Sequence, residues 1–135
     1  MKAGALMKRT FEKLPEAELD VMLALWRFRE PVRTSVLLGE LNHHRSWTLS
    51  TLKVLLGRLA EKGYVEVTRD GRFTLYRALL PEAEYRQGET RGLARRFYEG
   101  SVKTMIAQLV QEEPLTAQEI RELEEILRRA GERDG

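Results

Sequence analysis

Residues 48–76 read TLSTLKVLLGRLAEKGYVEVTRDGRFTLY, and the hydrophobic period changes once inside this stretch. Leu52, Leu55, Leu56 and Leu59 recur at i, i+3, i+4 and i+7, the spacing that lines one face of a helix. Thr48 stands where a hydroxyl can cap the free N–H groups of the first turn. Gly63 supplies the left-handed residue that commonly follows a helix. Beyond it Val65 and Val67 alternate with Glu66 and Thr68, and Phe73 and Leu75 with Thr74 and Tyr76. Asp70-Gly71 between the two runs is expected to form the tight turn of a β-hairpin, because Asp-Gly tolerates positive φ.

Upstream, Pro15 is suited to the first position of a helix, where its missing N–H costs nothing. Ala17, Val21, Ala24 and Phe28 mark one side of that helix, and Leu19, Met22 and Trp26 another. Apolar residues on both sides predict a buried helix ended by Pro31. Pro31-Val32-Arg33 reads as a short extended piece. Thr34–Leu41 reads as a short helix with Val36, Leu37 and Leu41 inward, and Asn42–Ser46 as a polar break. Three helices followed by a hairpin make the order of a winged helix-turn-helix, placed here over residues 14–80 after an extension at 1–13.

Residues 81–135 read as helical. One helix opens at Pro81-Glu82 and runs to about Tyr98, where Gly100 breaks it. A second carries Val102, Met105, Ile106, Leu109 and Val110 on one stripe. A third begins with a capping box, Thr116 and Glu119, between Leu115 and Ile120 at staple positions. Ile120, Leu123, Leu127 and Ala130 mark its apolar face. Such helices cannot bury their stripes alone, so self-association through these residues and Ile126 is the economical arrangement. The expected fold is therefore mainly α with a small β-hairpin wing, followed by a helical dimerisation region.

Composition narrows the function. The chain has 135 residues, 42% hydrophobic and 33% charged, with no cysteine. That suits a folded globular chain and excludes disulfides, thiolate metal sites and cysteine nucleophiles. No apolar run approaches the ~20 residues of a membrane span, and Met1–Lys13 lacks the apolar core of a secretory signal. A cytoplasmic protein is expected. Residues 1–80 hold 14 Lys and Arg against 9 Asp and Glu, whereas residues 81–135 hold 9 against 12. A basic first part joined to a mildly acidic second fits a nucleic-acid binder with a separate interaction module.

With its leucines inward, the third helix turns Ser50, Val54 and Gly57 outward, with Lys53 on one flank and Thr51 and Arg58 on the other. These groups can hydrogen-bond base edges or meet a thymine methyl in a major groove. Arg69 and Arg72 at the hairpin tip can reach phosphates or a minor groove, and Arg45, Lys62 and Arg77 could add phosphate contacts. His43-His44 is the only histidine pair, and two neighbours on a loop do not build a tetrahedral metal site. No nucleophile motif or Gly-rich phosphate loop stands out, so neither an enzyme nor a cofactor is expected.

These residues resemble a known family. Glu18-Leu19-Asp20-Val21-Met22 with Trp26, Ser46-Trp47-Thr48 leading into Thr51–Leu59, and Glu61-Lys62-Gly63-Tyr64-Val65 resemble the penicillinase, methicillin-resistance and copper-response repressors (BlaI/MecI/CopY type). The similarity continues through Tyr76, Phe97-Tyr98-Glu99-Gly100 and Leu115–Leu123, spanning about residues 14–129. The resemblance implies a homodimeric repressor on a palindromic operator. Thr48, Ser50, Thr51, Lys53 and Val54 then stand at the start of the recognition helix, and Arg69 and Arg72 on the wing. Two departures stand out. Gln108-Leu109 occupies the place where antibiotic-responsive members are cut at Asn-Phe, and the cysteine motif of copper-responsive members is missing. Two other readings remain open at this point: a ligand-responsive regulator of another winged-helix family, and a winged helix serving only protein interaction.

Overall fold

The computed structural model describes residues 11–134, with side chains through 132; residues 1–10 of the expected extension lie outside the described residues. Among the described residues, six helices and three strands follow in the order α1 (Glu16–Leu25), β1 (Val32–Arg33), α2 (Thr34–Leu41), α3 (Leu49–Glu61), β2 (Val65–Asp70), β3 (Phe73–Ala78), α4 (Glu82–Tyr98), α5 (Val102–Glu112) and α6 (Ala117–Asp134). The fold is mainly helical with a small antiparallel sheet, as the periodicity predicts. The chain divides into two compact units, one ending at Thr90 and the other beginning at Arg91, so the division falls within α4.

In the first unit, α1, α2 and α3 pack on one another and on the sheet. Leu52, Leu55, Leu56 and Leu59 are all buried, together with Val21, Met22, Leu25, Leu37 and Leu41 from the other two helices. Each such side chain contributes about 1.5–3 kcal/mol by leaving water. Thr48 caps α3, its hydroxyl accepting from the Thr51 N–H at 3.2 Å. Gly63 ends it at φ 81°, a left-handed conformation that favours glycine.

Four local expectations are corrected. Helix α1 stops at Leu25 rather than continuing to Phe28. The N–H groups of Arg27 and Phe28 donate to Ala24 and Leu25 three residues back, tightening the chain before Pro31 is reached. Nor is α1 buried all round: Leu23 is exposed, while Glu18 is only 3% exposed. On α2, Val36 faces outward and Leu38 packs against the core in its stead. Finally, Asp70 pairs with Phe73, so Gly71-Arg72 is the two-residue turn, one position later than expected. Gly71 has φ 64° and Arg72 does not have positive φ, the pattern of a type II′ turn with glycine first.

The extended piece after Pro31 becomes a third strand. Val32 pairs with Tyr76 and Arg33 with Leu75, giving the order β1-β3-β2. Directly paired residues share a face. Val32, Val65 and Tyr76 therefore bring one face of the sheet into the core.

Two polar contacts tie distant parts of this unit together. Lys62, just past the end of α3, donates to Glu18 in the first turn of α1 at 2.6 Å. The second is Tyr85 of α4, whose hydroxyl accepts from the Leu14 N–H and donates to Glu89, each at 2.9 Å. Burial, with smaller contributions from the Glu89 hydrogen bond and charge, pushes the Tyr85 phenol up to about 12 against the partly opposing Leu14 bond.

In the second unit, Ser101 caps α5 by accepting from the Thr104 N–H at 3.1 Å. Thr116 and Glu119 form the expected capping box. The Thr116 N–H donates to the Glu119 carboxylate at 2.9 Å, and the Glu119 N–H to the Thr116 hydroxyl at 3.0 Å. Hydrogen bonds from Arg128 and then Arg129 hold the Glu125 carboxyl below its usual range.

Lys62→Met strands a buried carboxylate and is expected to lower stability by about 2 kcal/mol or more, whereas Glu18→Met/Lys62→Met loses much less. Urea unfolding of the two variants checks this; equal losses would show that the stranded charge is not the cause. For Tyr85 the folded pKa lies above the ordinary value of 10.0. Its contribution is therefore full below pH 10 and is lost as pH rises through about 12. Near-ultraviolet titration should show a late-ionising step, and Tyr85→Phe should remove it. An identical titration curve for the native protein and Tyr85→Phe above pH 10 would contradict the assignment.

Candidate nucleic-acid interface

The burial of one face of α3 dictates what the other presents. Ser50, Thr51, Lys53, Val54, Gly57 and Arg58 are all exposed, as is Thr48 at the cap. Val54 keeps 53% of its surface open. A Cβ on Gly57 would meet nothing within 4 Å, so no internal packing requires glycine there. Glycine inside a helix costs about 1 kcal/mol relative to alanine. The resulting face offers hydroxyls, one amine, a guanidinium and a branched methyl surface with a shallow backbone at its centre.

The approach to α3 is pinned from both sides. The Asn42 amide donates to the Trp47 carbonyl at 3.1 Å and accepts from the Trp47 N–H at 3.0 Å. Arg45 lies over the Trp47 ring at 4.7 Å and donates to Asp20 of α1 through Nε at 2.6 Å. The polar break before α3 is therefore an ordered brace. Stacking uses the flat guanidinium, and the charge meets a carboxylate.

The cations sort into two groups. Arg45, Lys62 and Arg77, offered by the sequence as phosphate contacts, are held by Asp20, Glu18 and Glu66 respectively. Lys53, Arg58, Arg69 and Arg72 are exposed and make no ion pair among the described residues. The uncompensated positive charge of the first unit thus includes the outer face of α3 and the hairpin tip. The two tip arginines are not equivalent. Arg69 pairs with Thr74 on the face that also carries Val67 and Tyr76, whereas Arg72 occupies the turn itself.

Sequence reading missed Arg33. Its guanidinium lies 4.4 Å from the centroid of the Phe73 ring, which is exposed on β3. The missing signal was the pairing of β1 with β3, a contact between segments about 40 residues apart in the chain.

In the second unit, Val102, Leu109, Val110, Ile120, Ile126 and Leu127 are exposed, Ile106 and Leu123 are half-buried, and Met105 alone of the expected dimer contacts is buried within its own chain. Phe97, which the sequence reading left out of that set, is 68% exposed. Among the described residues no cluster of three or more His, Asp or Glu could hold a metal ion, and no helix is long and apolar enough to cross a membrane.

Comparison with known proteins is consistent with this geometry. Residues 14–129 match the penicillinase repressor family. The chain is 29% identical over 115 residues to the penicillinase repressor of Bacillus licheniformis, covering 85% of this chain and 89% of that protein. It is 26% identical over 119 residues to the methicillin resistance regulatory protein MecI of Mammaliicoccus sciuri, covering 88% and 95% respectively. The solution structure of the DNA binding domain of the repressor BlaI aligns with a TM-score of 0.50 at 27% identity, over 58% of this chain and 94% of that one.

Proposed function

Because the chain belongs to the penicillinase repressor family, a family of DNA-binding transcriptional repressors and not of enzymes, we propose that it acts in the cytoplasm as a homodimer on an inverted-repeat operator. Helix α3 enters the major groove, with Thr48, Ser50, Thr51, Lys53 and Val54 toward the base edges and Arg58 toward the backbone. Arg69 and Arg72 on the wing contact the backbone or the minor groove. The observation that carries this reading is the exposed, uncompensated outer face of α3, opposite four buried leucines.

Dimerisation through Val102, Met105, Ile106, Leu109, Val110, Ile120, Leu123, Ile126 and Leu127 supplies the second half-site. Exposed apolar side chains on two capped helices support it, since a partner's matching stripe is what removes them from water. Two copies of α3 then lie one or more DNA turns apart, about 34–36 Å for a single turn. A dimer across a promoter blocks polymerase, and loss of the dimer loses both half-sites together.

Selection of bound sequences from random duplexes at stated salt tests this reading. An inverted repeat is expected, and Lys53→Ala should return a degraded consensus. Recovery of no enriched sequence would favour a winged helix that only binds proteins. Leu109→Asp should shift sedimentation from dimer to monomer and weaken operator binding in parallel. An unchanged dimer would reject this interface.

A further inference from the structure

Phe73 poses a question that the core does not answer. It is 42% exposed at the tip of the hairpin, where a large aromatic ring gains little from burial. What surrounds it is charge. The Arg33 guanidinium lies 4.4 Å from its centroid and that of Arg72 lies 5.8 Å away. Both arginines are exposed, and neither has an ion pair among the described residues.

Strand pairing produces this arrangement. Arg33 is opposite Leu75 and therefore shares a face with Phe73, two residues along the same strand. The turn brings Arg72 to the same ring. Farther along this face Glu66 is already engaged by Arg77 at 2.6 Å. Asp70, directly across from Phe73, makes no ion pair with either arginine. Two like charges are thus gathered by one aromatic ring with no carboxylate between them. Their mutual repulsion is relieved by an anion, and the flat guanidinium fork matches phosphate oxygens.

We propose that Arg33, Phe73 and Arg72 form a phosphodiester clamp on the wing, in which Arg33 and Arg72 contact the DNA backbone and Phe73 is a positioning residue that pre-orients them. This rests on the DNA-binding reading of α3 but adds a contact, Arg33, from a strand outside the hairpin. Stacking restricts both long side chains before DNA arrives, so less rotamer freedom is lost on binding. The clamp acts on the backbone, so it raises affinity for every duplex without choosing sequence.

Salt-dependent binding of the full chain to a mixed-sequence duplex tests the clamp. Arg33→Ala is expected to reduce the slope of log affinity against log salt by about 0.9, one phosphate contact. Phe73→Leu keeps both charges and is expected to weaken binding about three- to tenfold. Phe73→Tyr should restore it. An unchanged slope in Arg33→Ala would overturn the clamp, even if Phe73→Leu were too unstable to assay. Full affinity in a folded Phe73→Leu would remove the positioning role. Absence of duplex binding by the native protein would instead reject the DNA-binding reading itself.

Discussion

The structure of the first unit depends on burying four leucines along a single face of α3. A helix has one circumference, so fixing Leu52, Leu55, Leu56 and Leu59 against α1 and α2 fixes where Ser50, Lys53 and Val54 point. Rotation of α3 by one residue would expose leucines at about 1.5–3 kcal/mol each, far more than any surface contact could return. The remaining devices in that unit serve the same orientation. Thr48 caps the helix start, Asn42 and Arg45 hold the chain leading to it, and Lys62 ties its far end to buried Glu18.

Sorting the cations by partner separates scaffold from interface more sharply than net charge does. Arg45, Lys62 and Arg77 have the same chemistry as Lys53, Arg69 and Arg72, but carboxylates of their own unit already neutralise them. A surface rich in Lys and Arg can therefore present far fewer available charges than its composition suggests. In the second unit four charged residues of α6 are engaged with each other along the helix, Glu125 with Arg128 and Arg129, and Arg128 with Glu132. The exposed apolar side chains on the same helix have no such internal partners, and self-association is the outlet that the proposed dimer gives them.

Much of the fold was legible in the sequence because it is written in local patterns. The leucine spacing of α3, the valine alternation of β2 and the Thr116–Glu119 capping box each involve residues a few positions apart. What was not legible depended on distant parts of the chain. Val36 is expected inward on α2, whereas Leu37 and Leu38 are the residues that pack on the core. Glu18 stands in the first turn of α1, and its burial is accounted for only by Lys62, 44 residues away. The hairpin turn moved by one position because glycine serves a type II′ turn first in the pair, and the sequence allowed either placement. On the outer face of α3 every expected residue is exposed, whereas Arg33 reaches the hairpin only through the pairing of β1 with β3.

Titration of the isotopically labelled protein with a duplex carrying its selected sequence, followed by nuclear magnetic resonance, addresses the central claim most directly. Amide and side-chain signals of Ser50, Lys53 and Val54 should shift most, while the buried methyl groups of Leu52 and Leu56 stay nearly fixed. Shifts confined to α5 and α6, with the outer face of α3 unperturbed at saturation, would contradict it.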